Sequence, residues 1–201
     1  MAIPSTNYRV TLTFTEPILG STPDPKAYTQ YVAQKAMDNG KYVSDELATL
    51  ADQPRGKTGF HRVGSKPVIY DYVIKGFLKE ACTALRRVDG TVSKAVTAHK
   101  TKIDTLVMVE PRRIELKLRK PTYDMERPLR ADTPQGPRVT LVSSTTAAEG
   151  TQMEFTVKVL GGQITETMLR EWFEYGQYSG LGQWRSGGWG RFTAEVAAVQ
   201  P

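Results

Sequence analysis

The stretch from residue 151 to 159 sets Thr151, Met153, Phe155, Val157 and Val159 against Gln152, Glu154, Thr156 and Lys158 in strict alternation. Successive side chains of a β-strand point to opposite faces, so a period of two demands a strand with one face in a core and the other in water. Such a strand needs neighbours in register and a second layer over its apolar face. Tyr8, Val10, Leu12 and Phe14, alternating with Arg9, Thr11 and Thr13, supply one neighbour over residues 7 to 15. Ile114, Leu116 and Leu118 alternate with Glu115, Lys117 and Arg119, and Phe192, Ala194 and Val196 repeat the pattern near the C-terminus. Thr105 to Val109 reads as a further, buried strand.

The covering layer is read from a different period. Ile74, Phe77, Leu78, Ala81, Cys82, Leu85 and Val88 recur at spacings of three and four, which gives one continuously apolar helix face that ends at Asp89-Gly90. Gly76 interrupts that helix at a cost of about 1 kcal/mol relative to alanine, and this predicts a close neighbour at that point. Thr165 caps a second helix with Glu166 in its first turn and Met168, Leu169, Trp172 and Phe173 as its stripe. A weaker helix is expected across Ser93 to Lys100. Asp24-Pro25 is a cap and first-turn pair that opens a helix reaching Asn39-Gly40, and Ser44 caps a short one after it. Gln53 to Lys66 reads as loop. Glu126 to Ala131 and Arg138 to Ser143 pair as a hairpin around residues 132 to 136.

Without its insertions the chain reads strand, helix, strands, strand, helix, strand. This β-α-β-β-α-β order predicts an α+β, ferredoxin-like (RRM-like) sandwich of antiparallel sheet and helices, in one domain over residues 1 to 201. The insertions are a helical one at about 16 to 66 and a basic hairpin at about 111 to 145.

Between the second core helix and the last strand lie two glycine triplets, Gly180-Leu181-Gly182 and Gly188-Trp189-Gly190. Without a Cβ, glycine admits positive φ and close backbone approach, and a concave run of amides can hold phosphate oxygens. Trp184, Arg185, Trp189 and Arg191 add rings for bases and guanidinium groups for phosphates. The net charge of +6 and a pI near 9.4 favour an anionic partner. Residues 111 to 138 hold eight Lys and Arg against four Asp and Glu, about two-thirds of that charge. Arg112, Arg113, Arg127, Arg130 and Arg138 make this stretch a second candidate edge, with Lys75 on the helix between. No apolar run reaches the length of about 18 residues that a membrane span needs, and the start has no basic or apolar leader pattern, so a cytoplasmic protein with no membrane partner is expected. Cys82, the single cysteine, falls on the apolar helix face and reads as core.

The glycine triplets, placed after the second helix of such a fold, resemble the signature of the RAMP superfamily of CRISPR-associated RNA-binding proteins. Three further stretches are similar to its backbone-subunit branch. Pro67 to Lys79, ending Ile74-Lys75-Gly76-Phe77-Leu78-Lys79, resembles the family's helix opening. Ala148 to Phe155 resembles its strand entered through Gly-Thr, and Ser186 to Phe192 its glycine loop running into the last strand. The opening departs from the family's Gly-Ser-Ser, having Tyr70-Asp71-Tyr72-Val73 instead. The size is that of small stand-alone RAMP-like proteins of phages and prophages. The resemblance implies single-stranded RNA as partner, with self-association or a CRISPR effector-like complex as further partners, and no cofactor.

Two other functions follow from the same resemblance. One branch of the superfamily cleaves RNA without metal through a histidine, and His61, flanked by Lys57 and Arg62, is the candidate general base. His99 is a weaker one. Some backbone subunits use an aspartate after the first strand, the position of Asp24, although a helix cap explains that residue too. No His, Cys and carboxylate set has metal-ligand spacing. The third function is a phage interaction module that imitates or blocks a host RAMP complex.

Overall fold

A computed structural model describes residues 3–23, 57–133 and 136–199. In chain order the elements are β1 (Ser5–Phe14), β2 (Ile18–Leu19), β3 (Lys57–Thr58), β4 (His61–Val63), β5 (Lys66–Tyr70), helix α1 (Asp71–Leu85) and helix α2 (His99–Leu106). Then come β6 (Val107–Glu110), β7 (Arg113–Lys117), β8 (Tyr123–Thr133), β9 (Gly136–Ala147), β10 (Gln152–Leu160), helix α3 (Glu166–Glu174) and β11 (Phe192–Val199). The fold is α+β.

The alternating strands form the larger sheet, in the order β11-β1-β10-β7-β5-β4, with β6 also on β10. Every pairing in it is antiparallel. β6 pairs with residues 156 to 159 of β10 and β7 with residues 152 and 153, so the two lie along one side of β10 as an interrupted strand. Val10, Leu12, Phe14, Met153, Phe155, Val157, Phe192 and Val196 are buried and join Ile74, Phe77, Leu78, Cys82, Leu169, Trp172 and Phe173 of α1 and α3 in one core. The period-two and period-three-to-four patterns therefore bury against each other. The Thr165 hydroxyl accepts from the Met168 amide at 3.3 Å and caps α3.

A second sheet is built from the stretches on either side of this core. β9 pairs with β8 and β2 antiparallel and with β3 parallel. Its long hairpin keeps the expected pairing of Ala131 with Arg138 and extends it at both ends, to Thr133 opposite Gly136 at the tip and Tyr123 opposite Thr146 at the base.

Several expectations are corrected. The loop of residues 53 to 66 contains β3 and β4, and β4 turns through Gly64-Ser65 into β5, with Gly64 at φ 60°. β5 then runs directly into α1. The strand expected from Thr105 begins only at Val107, because Thr105 and Leu106 close α2. The weak helix of residues 93 to 100 is a short 3-10 turn, Val92–Ala95, followed by α2. Gly76 is exposed, and no atom of the described residues would lie within 4 Å of a Cβ added there, so the expected close neighbour is not found among them. The helices expected after Asp24 and Ser44 lie outside the described residues, as does Asp24 itself. No helix among the described residues is long and apolar enough to cross a membrane.

Candidate nucleic-acid interface

The glycine loop is shaped by backbone meeting backbone. A Cβ on Gly180 would lie 2.1 Å from the Gly190 carbonyl carbon, one on Gly190 1.9 Å from the Leu181 oxygen, and one on Gly182 2.5 Å from the Leu19 oxygen. The Leu181 amide donates to Gly190 O at 2.9 Å, the Gly190 amide to Pro17 O at 2.9 Å and the Gln183 amide to Leu19 O at 3.2 Å. The Gln183 side-chain oxygen accepts from Thr58 Oγ1 and from Ser144 Oγ, each at 3.0 Å, so the loop is fastened to both β3 and β9. The expected row of exposed amides is thereby reduced. Leu181, Gln183, Gly187, Gly188 and Gly190 all donate to carbonyls of the chain. The close approaches explain glycine at 180, 182 and 190 without any ligand.

The side chains between the triplets remain at the surface. Trp184 holds a left-handed conformation at φ 56°, which costs a bulky residue on the order of 1–3 kcal/mol. Its ring stacks on Trp189 at 6.0 Å, and the Arg127 guanidinium of β8 lies 4.5 Å from its centroid. Burial lowers the Arg127 pKa. One contact thus joins the loop to the basic hairpin. Arg185 forms an ion pair with Glu80 of α1, and the Ser179 hydroxyl donates to the same carboxylate at 3.3 Å.

Trp184, Arg185, Glu80 and Ser179 line an open groove of about 670 Å³ between the loop and α1. Tyr178, Trp184, Arg185 and Arg191 form its walls, and Tyr178 is 71% exposed, tilted against Tyr175 at 6.5 Å. Exposed rings beside cations are what stacking on bases and pairing with phosphates require. Tyr178 was not singled out in the sequence, because it follows the α3 stripe and precedes the first triplet. A surface ring at a helix exit carries no periodic signal.

The other candidates are spread more widely. Lys75 Nζ donates to the Asp104 carbonyl at 3.0 Å. Arg112 lies 5.8 Å from the Tyr70 ring centroid, and its carbonyl accepts from the Asp71 amide at the start of α1. Arg113 opens β7 opposite Tyr70. Arg130 and Arg138 stand farther out on β8 and β9, with side chains outside the described residues. His61, on β4, meets Tyr70 edge-on at 4.9 Å, and with Tyr70, Tyr72 and Gly182 it lines a smaller cavity of about 150 Å³. His99 is buried. Thr83 gives its proton to Lys79 O, so His99 Nε2 donates to Thr83 Oγ1 at 2.8 Å while Nδ1 faces Arg86 at 3.3 Å. Burial, then Arg86 and Lys100, lower its pKa. That environment holds a neutral structural imidazole. Among the described residues no group of three or more His, Cys, Asp and Glu is placed to hold a metal ion.

The wet face of the larger sheet offers less to a nucleic acid. Its outward residues on β1 and β10 are Ser5, Asn7, Arg9, Thr11, Thr13, Gln152, Glu154, Thr156, Lys158 and Leu160, which include no ring for a base. Glu154 pairs with Lys117 at 2.9 Å and Arg9 at 3.8 Å, and Glu115 with Lys66 at 2.9 Å. The groove is therefore the better candidate.

No family model matches the chain, and no curated protein matches it. Among solved structures it is similar to a chain in the cryo-EM structure of the Type III-B Cmr-beta bound to cognate target RNA. The likeness is one of fold. Identity is 12% and the TM-score 0.56, with 98% of this chain aligned. The chain spans 61% of the length of that neighbour.

Proposed function

We propose that the chain is an RNA-binding protein of the RAMP type, non-catalytic, which grips single-stranded RNA in the groove between the glycine loop and α1. The observation that carries this is the groove wall itself, where Tyr178 and Trp184 stand exposed beside Arg185 and Arg191. Three features support it. The order β11-β1-β10-β6, with α1 and α3 packed on one face, fits a ferredoxin-like β-α-β-β-α-β core. The neighbour of like fold comes from a structure of the Type III-B Cmr-beta bound to cognate target RNA. The net charge is +6.

In this reading the glycines act as scaffold. Gly180, Gly182 and Gly190 let the loop lie against its own return and against residues 17 to 19, which sets the rings at the rim. Arg127 braces Trp184. Arg112 and Arg113 add positive charge at the start of β7, Arg130 and Arg138 fall on the two hairpin strands, and a cytoplasmic location with further copies or CRISPR effector-like proteins as partners goes with this reading. The test is equilibrium binding of labelled single-stranded RNA at rising salt. Affinity should fall steeply, because each phosphate contact releases counterions. Binding that ignores salt, or no binding at low salt, refutes the reading.

A second reading, metal-independent RNA cleavage with His61 as base, is favoured by the place of His61 in the smaller cavity beside Tyr70 and Gly182. It requires RNA to be cut by the wild type and left intact by His61→Ala.

A further inference from the structure

A second concavity, of about 390 Å³, is lined by Lys79, Glu80, Thr83, Ala84, Arg87 and Lys100. Glu80 lines both this concavity and the loop groove, so the two adjoin at α1. Its carboxylate is matched by Arg185 and Ser179 and presents little unbalanced negative charge to a strand passing over it.

The cations around this second concavity fall into two groups. Lys79 is paired with Asp104 at 2.9 Å, Lys94 with Asp89, and Arg86 is turned toward the His99 ring. Arg87 and Lys100 are exposed and have no acidic partner among the described residues. They come from separate stretches, the turn after α1 and the first turn of α2, yet line one concavity. Two unmatched cations facing the same concavity raise the local concentration of anions there. No ring lines it, and the Thr83 hydroxyl is engaged with the Lys79 carbonyl. It can hold phosphates but has nothing with which to stack on a base.

We propose that the RNA strand continues from the loop groove over Glu80 onto this second site, where Arg87 and Lys100 hold the phosphate backbone. This rests on the RNA-binding reading above and adds a direction to it. The strand runs across the helical layer, with bases held at Tyr178 and Trp184 and only the backbone held beyond. Neither Arg87 nor Lys100 stood out in the sequence, since one follows a helix end and the other lies in a weakly patterned segment.

The test measures binding of a mixed-sequence single-stranded RNA of about 16 nucleotides against salt concentration. The proteins are wild type, Arg87→Gln/Lys100→Gln and Tyr178→Ala. Each phosphate contact contributes about 0.7 to the slope of log affinity against log salt for a single strand. The double variant should therefore flatten the slope by about 1.4, whereas Tyr178→Ala should lower affinity and keep the slope. A wild-type slope in the double variant, with wild-type affinity, overturns the second anchor and leaves the groove reading standing. Wild type that does not bind RNA overturns both.

Discussion

Replacing Tyr178 with alanine separates a binding ring from a structural one. Its side chain is 71% exposed, and among the described residues its one ring contact is a tilted approach to Tyr175 at 6.5 Å. Removing it should change stability by less than about 0.5 kcal/mol, the range of ordinary surface substitutions. If a base stacks on it, the lost interaction is about 1–3 kcal/mol, which raises Kd by about 5- to 150-fold. Trp184→Ala is the contrast. It removes the stack on Trp189, worth about 0.5–1.5 kcal/mol, and the Arg127 contact, worth about 0.5–1 kcal/mol. Stability should then fall by about 1–2.5 kcal/mol along with affinity. Urea unfolding gives the first quantity and fluorescence anisotropy with labelled RNA the second. Tyr178→Ala with unchanged unfolding and a Kd within about twofold of wild type would refute stacking in the groove. Trp184→Ala that loses stability but keeps affinity would make that indole a brace for the loop.

Three other outcomes follow from particular contacts. Gly180→Ala places a Cβ 2.1 Å from the Gly190 carbonyl carbon, so the urea midpoint should drop by the equivalent of about 1–3 kcal/mol, and an unchanged midpoint would contradict the close packing of the loop. Gly76→Ala sits on an exposed helix face with open space around it and should stabilise by about 1 kcal/mol, raising Tm by about 2–4 °C in a thermal melt. His99 has a folded pKa below its unfolded value of 6.5, so the unfolded chain takes up the proton first as pH falls. Stability should be fully present above pH 6.5 and decline as pH drops below it, and urea midpoints at pH 7.5 and 5.5 should differ less in His99→Gln than in wild type.

The parts of the fold written in a period were legible. β1, β10 and β11 follow from alternation, α1 from its three-and-four spacing, and α3 from the Thr165 cap. β5 was not, because Pro67 argues against a strand and the run Val68-Ile69-Tyr70 passes into α1 with no connecting loop. The signal that would have found its hairpin was Gly64-Ser65, a two-residue turn with glycine first. The second sheet was half legible. Its hairpin stood out by charge and turn residues, whereas β2 and β3 are two residues long and exist only because β9 offers them a ladder. The position of the glycine loop was readable, but its reason was not. A sequence shows where a Cβ is missing and is silent about what occupies that space, which here is the Leu181 oxygen, the Gly190 carbonyl and Leu19. Gly76 shows the converse, a missing Cβ with nothing against it among the described residues. The site itself depended on Tyr178 and Glu80, whose roles come from the meeting of α1 with the loop.

The fastening of the loop bears on the order in which the protein matures. Gln183 reaches Thr58 across 125 residues of chain and Ser144 across 39, while the Gly190 amide reaches back to Pro17. Each of these contacts waits on closure of a long loop, the slow kind of event in folding. During synthesis the glycine segment also emerges after nearly all of its partners. The groove therefore exists only once the second sheet has closed, because its loop is held by residues of β2, β3 and β9.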